Sequence, residues 1–261
     1  MKISIIIINY QSQEYLKRCL DSIELYLVPK LRKNNHSIET IVVDNDKTEM
    51  ISLANYSFHA TIVDSDHNVG FGSACNLGSQ GLTSDFLLFL NPDTQLIDGS
   101  LSEMFNFSLS KPNIGIVGPQ IIDSARNAPQ PWTAGEKTTI WKILFRNTIK
   151  AVWKKKQATS TDWVSGTAFL IRRDLFATLG GFDENFFMYF EDQDICLRAK
   201  KINYQTYFYP KARIIHHNGK SWQNKKGQKN EYYRSQNYFF KKHGKKYEQI
   251  LLSLVKNLLI T

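Results

Sequence analysis

Four short polar runs stand where a folded chain could carry out chemistry. Asn91-Pro92-Asp93 closes an apolar run, and a carboxylate at the mouth of a buried strand can hold a hard divalent cation. Mg²⁺ needs only one or two protein carboxylates when a diphosphate supplies the other oxygens. The same tripeptide is also an ordinary type I turn with Pro92 at its second position. Asp66 to Ser73 (DHNVGFGS) places Gly70 and Gly72 at the opening of a helical pattern, where free amides would face an anion. It lacks the Gly-Lys-Ser/Thr of a Walker loop and the third glycine of a dinucleotide fingerprint. From Gly180 onward an aromatic-rich segment that includes Tyr189 runs into Glu191, Asp192 and Asp194. Aromatic faces stack on sugar rings, and Glu191 or Asp192 can serve as general base; helix capping alone needs fewer acids. His216-His217 follows a strand-like stretch and can complete a metal sphere, meet a phosphate, or simply form a turn.

These runs need elements to position them. Residues 3–8 (ISIIII) read as a buried parallel strand. Ser12 to Leu27 shows apolar residues at helical spacing, with Ser12 as N-cap. Residues 38–43, 60–63 and 85–90 read as further strands, and 70–81 as a helix between the last two. Strand and helix alternate, which predicts a doubly wound α/β sheet with right-handed crossovers. Ligands of such sheets lie at the carboxyl ends of the strands, and Asn9, Asp44, Asp64 and Asp93 occupy those ends here. Beyond residue 120 the pattern breaks. Residues 123–140 are loop-like, 163–171 a strand with Gly166 inside it, and 191–201 a helix with acids first and bases last.

The chain has 261 residues with 42% hydrophobic and 22% charged content, enough to bury a core and too ordered in composition for a disordered chain. No apolar run approaches a membrane span, and no secretory signal is expected. Cys19, Cys75 and Cys196 have no metal-like spacing and read as reduced thiols of a cytoplasmic protein. The net charge of +9 is unevenly placed: residues 1–140 carry 10 Lys and Arg against 15 Asp and Glu, whereas residues 220–261 carry 10 against 2. Nucleic-acid modules are absent, so nucleic acid is not an expected partner.

The order NYQSQEYLKRCLDS, VVDND, NVGFGSACNLG, LFLNPDT, WVSGTAFLIRRDLF, GGFDENFFMYFEDQDICLRAK and HHNGKS resembles family 2 glycosyltransferases of the GT-A fold, closest to the bacterial rhamnosyltransferase-like set. The resemblance spans roughly residues 3–222. It implies a GT-A domain over 1–222, with a nucleotide-binding half to about 120 and an acceptor half beyond, followed by a basic helical extension over 223–261. It implies inverting transfer of a sugar, in this subgroup rhamnose, from a dTDP- or UDP-linked donor to a hydroxyl of a lipid-linked or polysaccharide acceptor. The cofactor implied is Mg²⁺ or Mn²⁺. By position, Asp44 corresponds to the base-binding Asp with Asn45 beside it. Asn9, Asn68, Gly70, Asn76 and Asn91 line the donor. Asp93 is the last residue of the metal motif, whose first position here is Asn91, and His216 of His-x-x-Gly-x-Ser lies near metal and diphosphate. Asp192 corresponds to the catalytic base, with Glu191 the second choice. Gly166, Thr167 and Tyr189 lie on the acceptor side. Asp46 and Lys47 depart from the family pattern after Asn45.

Residues 141–156 (WKILFRNTIKAVWKKK) fit an amphipathic helix, either packed on the domain or lying on an anionic bilayer. Together with the basic tail it suggests peripheral attachment at the inner face of the plasma membrane. Two other readings remain at this point. A nucleotidyltransferase shares such a sheet, but Asn9-Tyr10-Gln11-Ser12 replaces its Gly-rich loop. A binding module without activity would have no need of both Asp93 and Asp192.

Overall fold

A computed structural model describes residues 1–46, 52–145, 151–217 and 225–259. Its elements in chain order begin with β1 (Lys2–Asn9), α1 (Gln13–Ser22), α2 (Val28–Lys33), β2 (Ser37–Asp44), β3 (His59–Asp64), α3 (Phe71–Gly78), β4 (Phe86–Leu90), β5 (Thr94–Leu96) and α4 (Ser102–Leu109). There follow β6 (Ile114–Asp123), β7 (Ala128–Pro129), β8 (Ala134–Gly135), α5 (Ile140–Leu144), β9 (Thr159–Thr161), β10 (Trp163–Val164) and β11 (Ala168–Arg172). The chain ends with α6 (Arg173–Thr178), α7 (Glu191–Lys201), β12 (Gln205–His216), α8 (Lys225–His243) and α9 (Lys246–Leu259).

The main sheet runs β3-β2-β1-β4-β11-β6-β12-β5. β3, β2, β1 and β4 are mutually parallel, as the alternating pattern implies. β11 enters antiparallel between β4 and β6. The strand β1 explains why its sequence is an unbroken apolar run. Ile3, Ile5 and Ile7 join the core on one face of the sheet, and Ile6 and Ile8 join the core on the other. A strand covered by helices on both faces has no solvent side to alternate with.

Three local expectations change. Ser12 forms no side-chain cap; its hydroxyl donates to the Tyr10 carbonyl, and the helix continues past Leu27 through a π turn (Ile23–Leu27) into α2. Pro29, near the start of α2, has no N–H to give, and a wider turn at this point accommodates the missing bond. The expected strand 163–171 is two strands, β10 and β11, separated by Ser165-Gly166-Thr167. The expected helix 141–156 is not continuous. It consists of the single turn of α5 and a 3-10 turn at Val152–Lys154, while residues 146–150 lie outside the described region.

The helices α8 and α9 share a third apolar cluster with the body of the protein. Phe239, Phe240 and Leu252 pack there with Ile140, Phe186 and Phe190. All three cysteines are buried free thiols. Among the described residues no helix is long and apolar enough to cross a membrane.

Candidate active site

The parallel register brings three polar strand ends into one row. Asn9 pairs with Asp44, and Asp44 pairs with Asp64. Backbone bonds tie the loops that follow: the Asn45 amide donates to Asn9 O at 2.9 Å, and the Ser65 amide to Asp44 O at 3.0 Å. Asn9 and Asp44 are buried, yet Asn9 Oδ1 and Asp44 Oδ1 each have no hydrogen-bond partner. Buried polar atoms are rarely left so, and their unused acceptor capacity is what the N–H groups of a nucleobase edge would use. Burial pushes the Asp44 carboxyl up to about 6, and the nearby carboxylates of Asp46 and Asp64 add to the rise.

Asn45 is held in place from all sides. Its Oδ1 accepts from Ser65 Oγ at 3.0 Å and from the Val69 amide at 3.1 Å, and its Nδ2 donates to Asn68 Oδ1 at 3.1 Å. Asn68 Oδ1 also takes the Gly70 amide at 3.0 Å, and the Phe71 amide donates to Phe187 O at 2.9 Å. The Gly70 and Phe71 amides are therefore occupied by protein and are not available to an anion. Gly70 sits at φ 85°, and a Cβ there would meet the Phe187 carbonyl. It is a close-approach glycine that seats α3 against the segment leading to α7. Asn76 braces the same junction. Its side-chain amide accepts from the Phe182 N–H and donates to Phe182 O and Glu184 Oε1.

Asp93 lies beyond the end of β4 and is buried. His216, the last residue of β12, places Nε2 3.1 Å from Asp93 Oδ1. Its Nδ1 lies 2.9 Å from Gln130 Oε1. In the tautomer that donates Nδ1–H to Gln130, Nε2 and the carboxylate confront each other as two acceptors, and a proton or a cation must stand between them. One carboxylate and one imidazole form a donor set suited to a hard or borderline divalent ion whose remaining ligands are diphosphate oxygens and water. Among the described residues no group of three or more His, Cys, Asp or Glu forms a complete metal cage. The rest of the His-x-x-Gly-x-Ser motif, from residue 218, lies outside the described region, as does Lys47.

Residues 165–167 connect this side to the acid cluster. The Asn91 amide donates to Thr167 O at 3.0 Å, and the Gly166 amide donates to Asp192 Oδ2 at 3.0 Å. Thr167 and Ser165 hydroxyls lie 2.9 Å apart, and the Ser165 amide is anchored to Thr133 O. Asp192 also accepts from the Gln193 amide through Oδ1 at 2.7 Å. Burial raises its carboxyl to about 6 despite these bonds.

The three acids of α7 have three different surroundings. Asp192 is half-buried at the helix start. Glu191 points into the core near Gly72, is pushed well above the usual carboxylate range by burial, and leaves Oε2 without a partner. Asp194 is wholly buried in a cationic nest. Its Oδ1 lies 2.7 Å from both His243 Nε2 and Lys242 Nζ, and its Oδ2 accepts from Arg198 Nε at 2.7 Å. Lys242 also reaches Asp183 Oδ2, to which the Tyr238 hydroxyl donates. These contacts fasten α8 to α7. Tyr189 and Phe190, just before α7, adopt φ 70° and 69°, a left-handed pair of non-glycine residues that costs on the order of 1–3 kcal/mol each. Tyr232 packs against both rings, and Gln228 donates to the Tyr189 hydroxyl at 2.7 Å. Gln130 and the Asp194 nest carry no sequence signal of their own. Both depend on residues brought from far along the chain.

Comparison with known proteins agrees with this architecture. The family described as Glycosyl transferase family 2 matches residues 4–180, and the chain belongs to that family. It is a glycosyltransferase with an α/β sheet of the GT-A kind. It is 26% identical over 242 residues to the N-acetylglucosaminyl-diphospho-decaprenol L-rhamnosyltransferase of Mycobacterium tuberculosis, covering 83% of this chain and 76% of that one. It is 23% identical over 227 residues to the rhamnosyltransferase WbbL of Escherichia coli, covering 82% of each. A mannosyltransferase of Pyrobaculum calidifontis, solved with GDP-Man and Mn²⁺, superposes with a TM-score of 0.60 at 16% identity. That match covers 84% of this chain and 57% of the other, so this chain spans little over half of it.

Proposed function

We propose that the protein transfers a deoxyhexose of the rhamnose type from a dTDP- or UDP-linked donor to a hydroxyl of a lipid-diphosphate-linked glycan, with inversion, at the inner face of the plasma membrane. The likeness to two rhamnosyltransferases supports the sugar class. The observation that carries the mechanism is the bridge of residues 165–167. It binds the Asn91–Asp93 segment to Asp192 through Asn91 N–Thr167 O and Gly166 N–Asp192 Oδ2.

Asp44, Asn9 and Asn45 bind the donor's base and sugar at the row of strand ends. Asp93 and His216 would hold a divalent cation, which would supply positive charge against the departing diphosphate. Asp192 accepts the proton of the acceptor hydroxyl as its oxygen attacks the anomeric carbon. A carboxylate near the floor of the acceptor side, with a raised proton affinity, is suited to that work at neutral pH. A single displacement inverts the centre and needs no enzyme nucleophile. Gly166 and Thr167 floor the acceptor pocket, and Tyr189 offers a ring to the sugar. Glu191, turned into the core, supports the helix start instead of reaching substrate.

The test is a transfer assay with purified full-length protein, dTDP-rhamnose and UDP-sugars as donors, a polyprenyl-diphosphate-linked N-acetylhexosamine as acceptor, and Mg²⁺, Mn²⁺ or EDTA. Product with one donor, inverted at the anomeric carbon and abolished by EDTA, is expected. Retention of configuration would overturn the single-displacement reading. Undiminished activity in EDTA would overturn the metal assignment.

A further inference from the structure

Ten large hydrophobic side chains of the described residues are exposed, and six of them lie on or just after two short helices, α5 and α9. On α5 Trp141, Leu144 and the following Phe145 lie at helical spacing and turn outward, while Ile140 is buried beneath them. Trp141 is 51% exposed, and its ring stacks with that of Phe145 at 6.2 Å. On α9 Tyr247, Ile250 and Leu254 form a second outward stripe, 54% and 56% exposed at the last two, while Glu248 and Leu252 face inward. The two helices are joined: the Ile140 amide donates to Glu248 Oε1 at 3.1 Å. Each helix thus has one apolar face used in the core and another turned to solvent.

The charges around this surface are mostly basic, with Lys142 of α5 paired to Glu136 at 2.9 Å. Residues 140–156 contain six Lys and Arg and no acid. Residues 241–261 contain five Lys, and their single acid, Glu248, is buried against α5. Lys154, Lys155, Lys156, Lys245 and Lys246 are exposed. An aromatic and aliphatic surface with Lys245 and Lys246 exposed at the start of α9 matches the interface of an anionic bilayer, where Trp sits at headgroup depth and lysines meet lipid phosphates.

We infer that the outward faces of α5 and α9 together form a docking surface for anionic lipid, holding the protein on the membrane that carries its acceptor. The surface is built from two folded elements, α5 and α9, in place of one long amphipathic helix. This deepens the lipid-linked-acceptor reading above, but it can fail separately from it.

The experiment is co-sedimentation of the full chain with vesicles of phosphatidylcholine alone and of phosphatidylcholine with phosphatidylglycerol, at low and high salt. Binding only to the anionic vesicles, weakened by salt, is expected. The pairs Trp141→Ser with Leu144→Ser, and Ile250→Ser with Leu254→Ser, should each lower the bound fraction at least about tenfold. Because these side chains are exposed, thermal midpoint and donor hydrolysis should stay unchanged. A wild type that hydrolyses donor but ignores both vesicle types overturns the surface and leaves the transferase reading intact. Variants that bind as well as wild type also overturn it. If light scattering finds a dimer that the same substitutions convert to monomer, without vesicle binding, the surface is a contact between copies and the inference is wrong.

Discussion

The Gly166 amide donates to Asp192 Oδ2 at 3.0 Å, and this bond fixes the carboxylate between the break in β10–β11 and the start of α7. Oδ1 accepts from the Gln193 amide at 2.7 Å, so the backbone orients both carboxylate oxygens. A Cβ at position 166 would press on the Phe71 ring and come to 3.8 Å from Asp192 Cβ, which explains a glycine inside an apolar stretch.

Replacing the proposed base should separate chemistry from binding. Asp192→Asn keeps an acceptor for the Gly166 amide but cannot take a proton. Transfer should fall by about 10²–10⁴-fold while donor affinity, measured by calorimetric titration, stays within about threefold. Glu191→Gln should cost less than about tenfold in rate, since Glu191 faces the core.

Proton uptake by Asp192 sets two pH dependences. With a folded value of about 6 against an ordinary 3.8, kcat/KM should rise with pH and level off above about 6. Stability runs the other way. The fold favours the neutral carboxyl, so its contribution is complete below 3.8 and is lost as pH rises through about 6. Asp192→Asn should therefore gain about 1–3 kcal/mol over wild type in urea unfolding at pH 8, and little or nothing near pH 4.

Asp194 should prove indispensable without touching substrate. Asp194→Ala removes the anion shared by His243, Arg198 and Lys242, of which Lys242 keeps Asp183, at a cost of about 3–5 kcal/mol. The nest holds Asp194 below the usual carboxylate range, so its stabilisation is present above the ordinary value and fades as acid protonates it. Denaturant midpoints of wild type and variant should converge as the pH falls below about 4.

The histidine at the end of β12 gives a metal test. On the proposed metal site, His216→Ala would leave Asp93 as the sole protein ligand. The Mn²⁺ concentration for half-maximal transfer should rise about tenfold or more, with the midpoint of thermal unfolding in EDTA nearly unmoved.

Two glycines with left-handed backbones provide a paired stability test. At Gly70 a new Cβ meets the Phe187 carbonyl, whereas at Gly81, φ 70°, nothing lies within 4 Å. Gly81→Ala should cost about 1 kcal/mol from backbone alone, and Gly70→Ala about 2–4 kcal/mol, both read from chemical denaturation.

Much of this site is legible in the sequence because it depends on local pattern. The isoleucine run gives β1, and the acid-first, base-last charge order gives α7 its bounds. The polar residues that close β1, β2 and β3 fall in one row because parallel strands share register. What stays hidden depends on distant partners. Asp194 reads as one more acid beside Asp192, yet its role is set by His243, 49 residues away. Gln130 sits between prolines in an irregular loop, with nothing to announce His216. The stretch 141–156 has helical periodicity throughout, but Val152 and Trp153 are drawn inward and α5 ends after a single turn, so tertiary burial prevails over local propensity.

The left-handed pair Tyr189–Phe190 has a consequence for heat. That backbone is held in place by rings and a hydrogen bond from α8, a helix outside the sheet. α8 is joined to the body by a small apolar cluster and the Asp194 nest, and helices peripheral to a sheet open before its central strands do. On warming, the turn should relax and Asp192, the proposed base, should drift while the parallel strands β1, β2 and β3 stay folded. Enzymatic inactivation would then precede loss of far-ultraviolet ellipticity, and the protein would keep its donor grip for some degrees after it has stopped making product.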